Sequence, residues 1–84
     1  MEIRKERLIA TCDYACEVYS AFLKNPFTEL AVDTTVDMLA ALFNVSKVTV
    51  TENIRHVITR STNLNRGELL FDMFRDEQSK WAGS

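Results

Sequence analysis

One stretch of this chain, residues 44–67, carries a net positive charge. The stretch holds four basic residues and one acidic residue, a formal charge of +3, whereas the 84-residue chain carries −2. The basic residues are Lys47, Arg55, Arg60 and Arg66, and the acidic one is Glu52. Lys and Arg side chains bind phosphate, and an Arg guanidinium can also hold a guanine edge through two hydrogen bonds. The chemistry that this stretch favours is contact with a polyanion.

Two short amphipathic helices are predicted to position these side chains. The first has apolar residues at the spacing of a buried helical face: Val36, Leu39, Ala40, Leu42 and Phe43. The second repeats the pattern with Val50, Ile54, Val57 and Ile58. Only Asn44, Val45 and Ser46 lie between the two patterns, and Ser46 is suited to cap the second helix. The spacing therefore predicts a helix, a sharp turn and a second helix.

Residues 35–58 resemble the helix-turn-helix of the repressor and Cro-like regulators of phages, plasmids and bacteria. Ala40 is the small residue that lets the two helices approach, and Phe43 and Val45 supply the apolar positions around the turn. Asn44 stands where that family usually has Gly, and Asn also tolerates a left-handed backbone. Asn53 departs from the family pattern, which has a small or apolar residue there.

This resemblance implies a small transcriptional regulator that binds double-stranded DNA as a homodimer, with its second motif helix in the major groove. The residues expected on the DNA side of that helix are Ser46, Lys47, Val48, Thr51, Glu52 and Arg55. Arg60 and Arg66 are expected to hold the DNA backbone. Val50 and Ile54 are expected to face inward and hold the helix on the core.

The rest of the chain predicts an all-α domain spanning residues 1–84, with four to five helices. Only two Gly and one Pro are present, fewer than a turn-rich β protein needs. We expect a long N-terminal helix over about 3–24, the motif over about 35–60 and a C-terminal helix over about 68–80, with Gly67 as a break before it. A winged helix is the second choice.

The segment before the motif is predicted to be a connector. Asn25 and Pro26 end the first helix, because proline disfavours a helical residue before it. Phe27, Leu30 and Val32 are expected to tuck under the motif. Thr34 or Thr35 is expected to cap the next helix, and a short extended piece is allowed at 31–34.

The N-terminal helix carries apolar residues over more than half of its circumference. Either it lies at the centre of the fold, or its second face meets another copy of the chain, which is the interpretation that we favour for so small a chain. Candidate residues for self-association are Tyr14 and Val18 on this helix, or Met73 and Trp81 near the C-terminus.

Cys12 and Cys16 share one helical face, about 6 Å apart at Cβ, which is too far for an ordinary disulfide. We expect two buried thiols, with a redox sensor as the alternative. The chain has one His and no recognisable nucleophile motif, so we expect no enzyme activity, no metal and no cofactor.

A different class of function is also open. The segments on both sides of 44–67 are acidic, with net charges of −3 over 1–43 (seven acidic, four basic residues) and −2 over 68–84 (four acidic, two basic). These charges suit a small phage- or plasmid-type module that binds a host protein without DNA. The sequence shows no long apolar run, so we expect a cytoplasmic protein without a membrane partner.

Overall fold

The computed structural model describes residues 4–60 and 65–82, with side chains as far as residue 77. Four α-helices and one 3₁₀ turn form over these ranges, and no strand does. The elements are α1 (Lys5–Lys24), the 3₁₀ turn (Pro26–Thr28), α2 (Glu29–Phe43), α3 (Lys47–Arg60) and α4 (Arg66–Ala82). The predicted all-α fold with four helices is confirmed.

Helix α1 lies at the centre of the fold, because it contacts α2, α3 and α4, and α4 most extensively. Its residues Cys12, Ala15, Cys16 and Tyr19 are buried. Of the two interpretations of its wide apolar surface, the central position is the one observed. Tyr14 nevertheless remains 54% exposed.

Aromatic residues of α2 and α4 fill the core next to α1. Phe43 stacks on Phe74 with ring centroids 4.6 Å apart, and meets Phe71 edge to face at 6.0 Å. Leu39 and Leu70 are fully buried beside them. These contacts explain why α4 turns its apolar face inward, as its spacing predicts.

The turn between α2 and α3 is built by local hydrogen bonds. Asn44 takes a left-handed conformation (φ 54°, ψ 49°), and the N–H of Val45 donates to the carbonyl of Ala40 at 3.1 Å. The Ser46 hydroxyl oxygen then accepts the N–H of Thr49 at 3.1 Å and caps α3. Both the predicted role of Asn44 and the predicted cap are therefore present.

The predicted connector before the motif is wrong, because α2 begins at Glu29 rather than near residue 35. Thr34 and Thr35 lie inside the helix, where their hydroxyls donate to carbonyls four residues back at 2.9 and 2.7 Å. These bonds satisfy the hydroxyls within the helix instead of at its N-terminus. No extended piece forms at 31–34.

The expected burial of the connector side chains is only partly correct. Val32 packs against the core, but Phe27 is 95% and Leu30 is 77% exposed. Large apolar side chains at and just before the start of α2 are therefore exposed, which the apolar spacing alone does not predict.

The sequence predicts that Gly67 marks a break before the C-terminal helix. In the structure Gly67 instead lies in the first turn of α4. A Cβ atom at this position would be 2.6 Å from the carbonyl oxygen of Ile9 and 2.8 Å from the Cβ of Asp13. The glycine is needed because α1 and α4 approach closely there.

Candidate nucleic-acid interface

Helix α3 has one face in the core and the opposite face in solvent. Val50, Ile54 and Val57 are buried, as predicted. The outer face of α3, which we define as Val48, Glu52, Arg55 and Thr59, recurs at spacings of four, three and four residues and is exposed throughout. An exposed helical face of this length is open to a macromolecular partner.

The outer face includes one residue that the sequence analysis missed. Thr59 follows Arg55 by one helical turn, and its hydroxyl donates to the Arg55 carbonyl at 2.6 Å. His56, beside this row, is also exposed. The four-residue spacing from Arg55 is the sequence signal that would have identified Thr59.

Lys47 lies at the edge of this face and is engaged by α2. Its Nζ is 2.8 Å from Oδ1 of Asp37, and both side chains are more than half exposed. The hydrogen bond to Asp37, reinforced by the charge of that carboxylate, raises the pKa of Lys47. An exposed ion pair of this kind contributes little to stability, so a phosphate can replace the carboxylate.

An acidic groove lies next to Lys47. Glu29, Asp33 and Asp37 of α2 line it together with Lys47 and Thr51 of α3. Thr51 is half-buried, and its hydroxyl donates to the Lys47 carbonyl at 3.0 Å. The side of α3 that faces α2 is therefore less favourable to an anion than its outer face.

Arg60 and Arg66 are separated by the fold. Arg60 is exposed at the end of α3 and lines a groove with His56 and Leu69. Arg66 is half-buried against α1, with Nη1 3.4 Å from the Ser20 hydroxyl. Its buried Nε finds no hydrogen-bond partner among the described residues.

The structure thus gathers most of the predicted site on one helix. Ser46 directly precedes α3, and its hydroxyl is used in the cap, where it also donates to the hydroxyl of Thr49 at 2.9 Å. Val48, Glu52 and Arg55 share the outer face, and Lys47, Thr51 and Arg60 border it. Only Arg66 lies elsewhere.

Within the described part of the chain, no three His, Cys, Asp or Glu side chains are grouped so as to hold a metal ion. None of the described helices has the length and apolar character needed to cross a bilayer.

Comparison of the chain with known proteins gives no match. No protein-family model, no curated protein and no solved structure is significantly similar to it.

Proposed function

We propose that this chain is a small transcriptional regulator that binds double-stranded DNA as a homodimer, with the outer face of α3 in the major groove. The observation that carries the proposal is the arrangement of α3. One side of this helix is held in the core by Val50, Ile54 and Val57, and the opposite side is open over its whole length. A braced, exposed helix after a three-residue turn is what major-groove insertion requires.

The charges on and beside the outer face of α3 support a modest affinity of each protomer for DNA. Lys47, Arg55 and Arg60 are exposed on or beside the outer face, and Glu52 is the acidic residue within it. If each of the three cations neutralises one phosphate, the slope of log K against log salt is about −3 per protomer. Dimerisation doubles the number of phosphate contacts, which compensates for the small charge of one copy.

The side chains of the outer face have distinct roles in reading bases. Arg55 can hold the O6 and N7 atoms of guanine, and Glu52 can accept from the N4 amino group of cytosine. Val48 offers an apolar contact to a thymine methyl group. The Thr51 hydroxyl is bonded to the Lys47 carbonyl, so this residue offers chiefly its methyl group. Arg60, at the end of α3, is placed to hold the phosphate backbone.

Substitutions of single arginines test these roles in electrophoretic shift assays with DNA flanking the gene. Arg55→Ala should weaken specific binding by about 1–3 kcal/mol and relax one base position. Arg60→Ala should weaken binding to all sequences equally and reduce the salt slope by about one unit. Arg75→Ala is the control, since Arg75 lies on α4 near the ring of Phe71. If both α3 variants fold and bind like the parent, the proposal fails.

A protein-interaction module is the second candidate function. The exposed apolar residues of α2 and the acidic groove beside them favour it. In that case α2 and α3 serve as a scaffold, and the parent protein binds no DNA even at low salt.

A further inference from the structure

Helix α2 exposes an uncharged face along its entire length. We name this face the α2 stripe: Leu30, Ala31, Thr34, Met38, Ala41 and Leu42, all of which are exposed. The Thr34 hydroxyl donates to the Leu30 carbonyl at 2.9 Å, so the bond is made within the helix. The acidic residues Asp33 and Asp37 lie instead on the flank towards α3. An apolar helix face of about 22 Å, the length of this 15-residue helix, is thus left in solvent.

The residues of the α2 stripe are arranged symmetrically about position 36. Leu30 and Leu42 are each six positions away, Ala31 and Ala41 five, and Thr34 and Met38 two. When two such helices pack antiparallel around a two-fold axis, each residue meets its counterpart: Leu30 meets Leu42, Ala31 meets Ala41, and Thr34 meets Met38. This self-complementarity is the requirement of an isologous dimer contact. A binding site for an unrelated protein does not require it.

Two aromatic residues extend the stripe. Phe27, 95% exposed, precedes Leu30 by three residues, and Tyr14 of α1, 54% exposed, lines one groove with Met38 and Leu42. With about 150–250 Å² for each aromatic side chain, these two alone offer roughly 200–400 Å². A stable interface takes about 800 Å² per partner, so the two aromatic residues supply roughly a quarter to a half of it and the α2 stripe must supply the rest.

We propose that two copies of the chain associate through the α2 stripe, with their α2 helices antiparallel and the two-fold axis at the level of position 36. The inference rests on the homodimer in the proposed function and specifies its surface. Ala31 and Ala41 have small side chains and lie on both sides of the axis, which allows the two helices to approach closely. Asp37 lies beside Lys47 on the flank towards α3 and not on the stripe, so the pair of helices buries no carboxylate.

The antiparallel pairing is tested by exchanging charges in the full-length protein. Leu30→Glu and Leu42→Arg should each raise the dimer dissociation constant at least about tenfold, because each buries unpaired charges. The double variant should recover most of the affinity, because the new glutamate of each copy then meets the new arginine of the other. Positions 30 and 42 lie more than three turns apart within one helix and cannot pair internally. Leu69→Glu, a substitution of an exposed leucine on α4, is the matched control.

Sedimentation velocity over a range of protein concentrations distinguishes the outcomes. Disruption by each single variant and recovery in the double variant supports the proposal. Single variants that dimerise like the parent would show that another surface forms the homodimer, and a double variant that stays monomeric would overturn the antiparallel pairing. A parent that stays monomeric at several hundred micromolar would refute the proposed dimer, leaving the α2 stripe to a different protein. DNA binding by the parent is measured separately. A failure of the proposed DNA-binding function is therefore distinguishable from a failure of the proposed dimer contact.

Discussion

At the scale of single residues, Gly67 sets how closely α1 and α4 pack. A Cβ at this position would lie 2.6 Å from a backbone oxygen, that of Ile9, and 2.8 Å from the Cβ of Asp13. Neither atom is the free end of a flexible side chain, so one helix would have to move. Gly67→Ala should therefore lower the free energy of unfolding by about 1–3 kcal/mol, even though Ala favours helix.

Urea denaturation followed by circular dichroism measures this effect. Glu68→Ala is the control, because Glu68 is exposed on the same turn of α4. A Gly67→Ala protein as stable as the parent would show that α1 and α4 can separate without cost.

The two cysteines make a prediction about pH. Burial raises the pKa of Cys12 to about 12, with a contribution from Cys16, and burial raises the pKa of Cys16 to about 11 although Arg66 opposes it. Both thiols are therefore protonated at neutral pH, which fits the interpretation of small buried apolar groups. In the unfolded chain they ionise near 9, so the unfolded state loses protons first as pH rises. The thiols should not affect the free energy of unfolding below pH 9. From about pH 9 to 12 the free energy of unfolding should fall, by up to about 1.4 kcal/mol per pH unit for each thiol.

The double variant Cys12→Ala/Cys16→Ala isolates the contribution of the thiols. Its stability should decline less steeply than that of the parent over the same alkaline range. Equal slopes in the two proteins would mean that the thiols ionise as easily in the folded state as in the unfolded state.

At the scale of elements, the opposite faces of α3 should respond differently to the same substitution. Val50 is fully buried and Val48 is 66% exposed, and the two residues lie on the same helix. Val50→Asp should unfold the domain, because a carboxylate cannot be buried there without a partner. Val48→Asp should retain the helical circular dichroism spectrum but weaken DNA binding through charge repulsion.

Comparison of the two variants separates an effect on folding from an effect on DNA binding. A folded Val50→Asp protein would show that α3 is not anchored as described. Loss of structure in Val48→Asp would show that the outer face of α3 also stabilises the fold.

The elements also show where sequence reasoning succeeds. Helices α1, α3 and α4 follow their apolar spacing to within about two residues at the described ends. The sequence places the start of α2 six residues too late, because Thr34 and Thr35 look like caps, whereas their hydroxyls bond to carbonyls of their own helix. The exposure of Leu30 was also not predictable, since α2 is apolar around most of its circumference and its spacing does not reveal which side faces the core.

The same limit applies to the candidate site. The outer residues Val48, Glu52 and Arg55 follow from the helical period once Val50 and Ile54 are placed inward. The positions of the Lys47 and Arg66 side chains do not follow from the helical period, because they depend on contacts with Asp37 and Ser20 in other helices. Contacts between distant segments are set by packing and leave no local sequence pattern.

At the scale of the whole molecule, the proposed function assigns different surfaces to different partners. The outer face of α3 is for DNA, and the α2 stripe is for a second copy of the chain. The acidic groove lies between them and disfavours anions next to the start of α3. Two protomers joined through α2 would present two α3 helices, as a two-fold symmetric DNA site requires.

The most direct test of the central claim is to map where DNA touches the protein. Even without the operator, non-specific duplex DNA binds such regulators with a dissociation constant of about 10⁻⁴–10⁻⁶ M. Nuclear magnetic resonance of the nitrogen-15-labelled protein, titrated with a short duplex at low salt, follows each backbone amide. We predict that the largest chemical-shift changes fall at 46–60 and are greatest for the residues of the outer face of α3. These changes should weaken as salt is added. No change at 46–60, or changes confined to α1 and α4, would contradict the claim that α3 binds DNA.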